Sequence, residues 1–237
     1  MEESLDKINY NALHNIAYNK IKGAIRDGRL RPGDTLRTRT LAKALGISST
    51  PVRDALSRLI AQNVLDVDPR NRQAMVPELT KEILEDLYAV RLRIEPYGAE
   101  LAAMNISETE LAHVKKVLKE LEELEKKGES PESLDKSEEY FFSIYRATGN
   151  MLLLHLIDNL WLRSSVILGL LLRPRPADFS IRKERQGLVT ALENRDPKAA
   201  SHYLEQIITR TRDMVFEVMA SDAMLIKTKR RAARRKA

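Results

Sequence analysis

Apolar residues recur at a helical period along almost the whole chain, and the places where that period fails mark its elements. From about Asn11 to Arg26, the set Leu13, Ile16, Ala17, Ile21, Ala24 and Ile25 predicts an amphipathic helix with Gly28 closing it. The stretch LRPGDTL (30–36) predicts a turn, because Pro-Gly forces a corner. The central stretch, LAKALGISSTPVRDALSRL (41–59), predicts two short helices meeting at a tight bend. Leu41, Ala42 and Leu45 form one apolar edge, and Gly46 supplies a left-handed backbone that a residue with Cβ avoids. Ile47 tucks in beside the corner. Ser48 suits an N-cap, and Pro51 suits the first helical turn, where its missing N–H costs little. Val52, Leu56, Leu59 and Ile60 make the buried stripe, while Ser49, Thr50, Arg53 and Arg58 point elsewhere. Val64–Asp68 and Ala74–Val76 are β-prone runs around PRNRQ (69–73), which predicts a two-stranded wing.

Beyond Val76 no credible strand remains. Thr80 caps a long helix with Ile83, Leu87, Val90, Ile94 and Leu101 on its buried side, and about six helices follow in all. Their breaks fall near 105–107, 128–131, 149–150, 174–177 and 196–197. Ser107 with Glu110 forms a capping box, and the alternating charges of 108–127 read as a solvent-facing helix. The fold class is mainly α, with this division: a disordered lead-in (1–10), a winged helix-turn-helix domain (11–76), a linker (77–81), an all-helical bundle (82–222) and a basic tail (223–237).

Composition narrows the function classes. The chain has 237 residues, 43% hydrophobic, enough for one large or two modest cores. Zero cysteines exclude disulfides, thiolate metal sites and cysteine nucleophiles. The longest apolar stretch, around 152–172, is broken by His155, Asp158, Asn159 and Arg163, and the polar N-terminus carries no secretory signal. A cytoplasmic protein is expected. No nucleophile turn, Gly-rich phosphate loop or His-carboxylate cluster supports an enzyme. The formal net charge of +6 is unevenly spread. Residues 1–77 hold 13 Lys/Arg against 8 Asp/Glu, residues 227–237 hold seven Lys/Arg and no acid, and the body between is acidic. The basic head is the part suited to DNA. The basic tail could add non-specific affinity through counterion release, or be a solvated extension.

A helix whose exposed N-terminal end carries small polar residues and arginines suits a major groove, since those groups reach phosphates and base edges. Periodicity alone would equally allow a helical hairpin with a solvated arginine face. LRPGDTL, LAKALGISSTPVRDALSRL and the wing together resemble the DNA-binding domain of the GntR family of bacterial transcription regulators. RLRIEPYGAELAA (91–103), YRATGN (145–150) and ALENRDPKAASHYL (191–204) resemble the ligand-binding, FCD-type domain of its FadR subfamily. The resemblance implies a homodimer on a near-palindromic operator, more often a repressor, whose DNA affinity changes with a small metabolite, often a carboxylic acid. By position the DNA-contacting set is Arg39, Ser48, Ser49, Thr50 and Arg53, with Pro51 and Arg58 on the same helix and Arg70, Asn71 and Arg72 at the wing tip. Ser49 stands where the family usually has a base-reading arginine, which implies a different operator. The usual wing glycine is missing, and Asn71 is expected to take its positive φ.

The effector domain departs further. The family's four metal-ligand positions fall on Ser137, Phe141, Arg185 and Ile207, and His14, His113, His155 and His202 lie elsewhere. A divalent metal is not expected, nor any other cofactor. Arg185 and Arg91, with Tyr140 and Arg163 as weaker candidates, are expected to receive an anionic effector, because a guanidinium takes a carboxylate or phosphate bidentately. The plain alternatives are an Arg91–Glu95 ion pair and an exposed Arg185. A DNA-binding dimer whose helical domain takes no small molecule is the alternative function.

Overall fold

The structure, a computed structural model, describes residues 10–78, 80–128, 130–171 and 180–234, with side chains described for 13–78, 80–128, 130–164 and 180–220. Nearly all of the expected lead-in therefore lies outside the described residues, as does the break expected at 174–177. Two compact units emerge: Met1–Leu79 with Trp161–Gly169, and Thr80–Leu160 with Leu170–Ala237.

In the first unit, helices α1 (Tyr10–Arg26), α2 (Thr38–Leu45) and α3 (Ser49–Ala61) alternate with short strands β1 (Thr35–Leu36), β2 (Asp66–Val67) and β3 (Ala74–Met75). Ala17, Tyr18, Ile21 and Ile25 of α1 bury against Val52, Ala55, Leu56 and Leu59 of α3, with Ala42 of α2 beneath the corner. The bend itself is as the sequence predicts: Gly46 is left-handed at φ 67°, and its N–H closes onto α2. Ser48 occupies the N-cap with extended backbone but makes no side-chain cap hydrogen bond. Ala55 enters the core, whereas Ile60 is only partly buried and Ile16 is exposed. The turn after α1 ends in a strand that the sequence reading lacks. β1 pairs antiparallel with β3, which pairs antiparallel with β2, so β3 is central and the wing has three strands. The supporting bonds are Gly33 N–H to Val76 O (2.9 Å) and Val76 N–H to Asp34 O (3.0 Å).

The second unit is all-helical among the described residues, built from α4 (Lys81–Asn105), α5 (Glu108–Glu125), α6 (Pro131–Arg146), the first half of α7 (Met151–Leu171), α8 (Arg182–Glu193) and α9 (Pro197–Arg234). Thr80 Oγ1 caps α4 by accepting from Ile83 N–H, and Ser107 with Glu110 forms the reciprocal box that starts α5. α4 is phased differently from the expectation. Its buried face is Leu84, Leu87, Tyr88, Arg91, Glu95, Ala99, Ala102 and Ala103, and Ile83 and Val90 are exposed. The helix carries two apolar stripes, and periodicity does not say which one packs inside the chain. Most of the expected basic tail (223–237) falls within the last helix. α9 runs unbroken to Arg234, since no Gly or Pro follows Pro197 and the composition there is rich in Ala, Lys and Arg, all strong helix formers. Among the described residues, no helix is long and apolar enough to cross a membrane.

Candidate nucleic-acid interface and effector region

β1 runs directly into α2 with Arg37 as the joint, and β3 follows directly on the wing tip. The antiparallel register sets Leu36 opposite Ala74, so one step further Arg37 stands beside Gln73, and Arg72 beside the start of α2. The result is a groove of about 580 Å³ lined by Arg37, Arg39, Arg53, Ser57, Arg72 and Gln73, among others. None of its four guanidinium groups has an acidic partner among the described residues, and Gln73 Oε1 is buried without a hydrogen bond. Unneutralised arginines around a concave surface suit a phosphate backbone, because each phosphate contact releases condensed counterions. Ser48 and Thr50 are exposed at the leading end of α3, Ser49 is half-buried, and Arg53 is exposed one turn later.

Two members of the expected contacting set do not present themselves this way. Pro51 is buried in the first turn of α3, since its ring packs into the core while Thr50 faces out. Arg58, five positions and about 140° round the helix from Arg53, lies over the Tyr18 ring at 4.1 Å from its centroid, toward α1. Arg37 and Gln73 were missed from sequence. The available signal was TRTLAKAL, whose helix start makes the preceding Arg37 a cap residue beside Arg39.

The wing tip is organised by Asp68, which is buried. Its carboxylate accepts from Arg70 N–H (2.9 Å), Arg70 Nε (3.3 Å) and Asn71 Nδ2 (3.0 Å), while its backbone pairs with Gln73 and Arg72. The backbone N–H of Arg70 leads in holding the Asp68 carboxyl below the usual carboxylate range, and burial only partly opposes it. The positive φ expected at Asn71 belongs instead to Arg72, at 59°. Asn71 spends its amide on Asp68 and accepts from Gln73 N–H at 3.0 Å, which fixes it one residue before the left-handed position.

In the helical unit, Arg91 and Arg185 are both buried and both already hold carboxylates. Arg91 Nε donates to Glu95 Oε1 at 2.5 Å, Tyr145 OH donates to Glu95 Oε2 at 2.5 Å, and the Arg91 guanidinium lies 5.2 Å from the Tyr88 ring centroid. Burial pulls the Arg91 guanidinium down, but the Glu95 carboxylate more than reverses that, so it stays charged. Arg185 Nη1 donates to both oxygens of Glu125 (2.8 and 2.9 Å), and Nε is buried without a hydrogen-bond partner among the described residues. Tyr140 OH donates to the Arg185 carbonyl at 3.2 Å, and burial pushes its phenol above the usual range. Tyr140 and Arg185 are thus brought together. Arg163 is exposed and falls in the first unit. Phe141 and Ile207 are buried apolar side chains, and Ser137 is half-buried. A phenylalanine, an isoleucine and a guanidinium do not fit a divalent cation, and no group of three or more His, Cys, Asp or Glu converges among the described residues.

Residues 13–73 match the family model "Bacterial regulatory proteins, gntR family", and residues 86–210 match the FCD domain. The HTH-type transcriptional regulator McbR of Escherichia coli (strain K12) is 30% identical over 201 residues, covering 84% of this chain and 90% of that protein. The chain belongs to the gntR family. A solved structure of E. coli McbR/YncC superposes with a TM-score of 0.80 at 29% identity, covering 86% of this chain and 97% of the other. The probable D-xylose utilization operon transcriptional repressor of Paenarthrobacter nicotinovorans is 30% identical, covering 76% and 78%. As a gntR-family member with an FCD domain, the protein is a DNA-binding transcriptional regulator and not an enzyme.

Proposed function

We propose that this regulator is a homodimeric repressor of a near-palindromic operator, and that a small carboxylate or phosphate held in its helical domain changes its DNA affinity. The arginine groove between α2, α3 and the wing carries the DNA half of this reading: four guanidinium groups with no acidic partner among the described residues flank the leading end of a helix with exposed hydroxyls. In this reading Thr50 and Arg53 reach base edges, and Arg37, Arg39 and Arg72 hold the phosphates. The repressor role is supported by the Paenarthrobacter relative, a probable transcriptional repressor. The effector half rests on Arg185, a buried guanidinium whose Nε has no acceptor among the described residues; such a donor is costly until something satisfies it. To weaken operator binding tenfold, the ligand must favour the weak-binding state by about 1.4 kcal/mol. The test is fluorescence anisotropy on the DNA upstream of its own gene against scrambled DNA, at several salt concentrations. A preference of about 10³-fold or more supports a specific operator. Equal, steeply salt-dependent binding to both refutes it.

A second reading is favoured by the carboxylates already seated on both arginines: Glu95 and Glu125 neutralise them from within, and the helical domain then serves assembly alone. A thermal-shift series with small carboxylates and phosphates separates the two. Stabilisation that Arg185→Gln abolishes supports an effector, and no stabilisation by any of them supports the second reading.

A further inference from the structure

The wing tip holds a strained residue without the glycine that would relieve it. No glycine stands in DPRNRQ (68–73), and Arg72 takes φ 59° there. A left-handed backbone crowds Cβ against the following carbonyl oxygen, so an arginine keeps it only where neighbouring bonds enforce it. Those bonds converge on Asp68, which is 2% exposed. Its N–H donates to the Gln73 carbonyl and its own carbonyl accepts from Arg72 N–H, both at 2.8 Å. Oδ1 accepts from Arg70 N–H at 2.9 Å, and Oδ2 accepts from Asn71 Nδ2 at 3.0 Å. Asn71 passes the constraint on by accepting from Gln73 N–H at 3.0 Å. The residues on both sides of Arg72 are thus fixed by side-chain bonds that trace to one carboxylate. Arg72 then lines the groove with Arg37, Arg39 and Arg53. Arg70, by contrast, is 85% exposed and turned back onto Asp68, with Nε 3.3 Å from Oδ1.

We propose that Asp68 is the positioning residue of the DNA-binding wing: its buried carboxylate locks the left-handed turn at Arg72 and so aims that guanidinium at a phosphate. The inference rests on the Arg72 phosphate contact read above and supplies its cause. Two oxygens are needed, because Arg70 N–H and Asn71 Nδ2 each occupy one, and an amide in this place offers a single accepting oxygen. The role runs against simple electrostatics, which makes it testable by sign. An acid beside a DNA-facing surface repels phosphates, and this one also offsets the charge of Arg70. On charge alone, removing it tightens binding and steepens the salt dependence, since Arg70 is released to the DNA. Positioning demands the opposite: the head becomes more basic, yet it binds more weakly and with a shallower slope.

The experiment is fluorescence anisotropy of the full chain on duplex DNA from upstream of its own gene, across a salt series, with thermal unfolding followed by circular dichroism. At about 0.1 M salt one phosphate contact is worth roughly tenfold in affinity and about one in the salt slope. Arg72→Ala removes that contact and Asp68→Ala misaims it, so each is expected to lose about these amounts. The double variant is expected to lie within about twofold of the weaker single, where independent effects would multiply to roughly a hundredfold. Asp68→Asn keeps the shape of the side chain and is also expected to weaken binding, which covers an alanine variant that fails to fold. A folded Asp68→Ala or Asp68→Asn protein that binds as tightly as wild type overturns the positioning role and leaves the Arg72 contact standing. A lower melting temperature with an unchanged salt slope overturns it too, because destabilising the fold removes molecules and not phosphate contacts. Multiplying losses in the double variant show that Asp68 does not act through Arg72. An Arg72→Ala protein that binds like wild type overturns both the contact and the role built on it.

Discussion

Replacing Glu95 with leucine tests the account of the helical unit most sharply. Glu95 is fully buried, and Arg91 is 8% exposed, so the substitution takes from a buried guanidinium the carboxylate that Nε holds. It also leaves Tyr145 OH without the acceptor it holds at 2.5 Å. Breaking a buried ion pair from one side costs about 3–5 kcal/mol, because the remaining charge keeps its desolvation penalty and loses its compensation. For a chain of this length, that corresponds to a fall in melting temperature on the order of 10 °C. Arg91→Met with Glu95→Leu removes both charges and fills the same space with apolar atoms, so the double variant should recover most of the loss, within about 1–2 kcal/mol of wild type. The remaining deficit belongs to Tyr145, and Tyr145→Phe in that background should shrink it. Thermal and urea unfolding followed by circular dichroism read all three. Glu95→Leu within about 1 kcal/mol of wild type would mean that the pair is hydrated and not buried. A double variant as unstable as the single would mean that shape, not charge, holds this part of α4.

Gly187→Ala is expected to destabilise although alanine is the better helix former, because its Cβ would meet the Tyr203 ring at 2.3 to 2.7 Å. Overpacking of about 1–3 kcal/mol outweighs a propensity gain of about 1 kcal/mol, and the same change in a Tyr203→Ala background should stabilise; a melting temperature that rises in the wild-type background refutes it. Arg53→Ala should weaken operator binding by about 1–3 kcal/mol, whereas Arg58→Ala, whose guanidinium lies over Tyr18, should change binding far less; equal losses in anisotropy titrations would contradict this geometry. Arg72→Ala should reduce the salt slope of binding by about 1, and an unchanged slope removes Arg72 from the phosphate contacts. Asp68 has its carboxyl held low by Arg70, so its contribution is complete above the ordinary carboxylate range and is lost as pH falls through its folded value. Amide exchange at the wing tip should therefore quicken only in acid, and Asp68→Ala should show the fast rate at neutral pH; a tip equally protected in the variant would refute it.

The helix-turn-helix was legible because its constraints are local. A left-handed Gly46, an extended Ser48 and a proline in the next turn each answer to backbone sterics that a few residues settle among themselves. The wing was only half legible for the same reason in reverse. β1 is two residues long and exists through its register with β3, some forty residues away, so nothing within LRPGDTL announces it. Arg37 and Gln73 were missed with it, since they meet only because that pairing forms. The positive φ at the tip went to Arg72 because buried Asp68 claims the Asn71 amide, a preference that conformational tolerance alone does not reveal.

In α4 the reading failed where a helix answers to two neighbours. Ile83, Val90, Ile94 and Leu101 satisfy an apolar stripe at least as well as the true inner face, which contains Arg91, Glu95 and a run of alanines. Small residues let α9 and α6 approach closely, and the ion pair is tolerable inside because Glu95 accepts from both Arg91 and Tyr145. Hydrophobicity ranks such a face below its neighbour, although burial within the chain ranks it above.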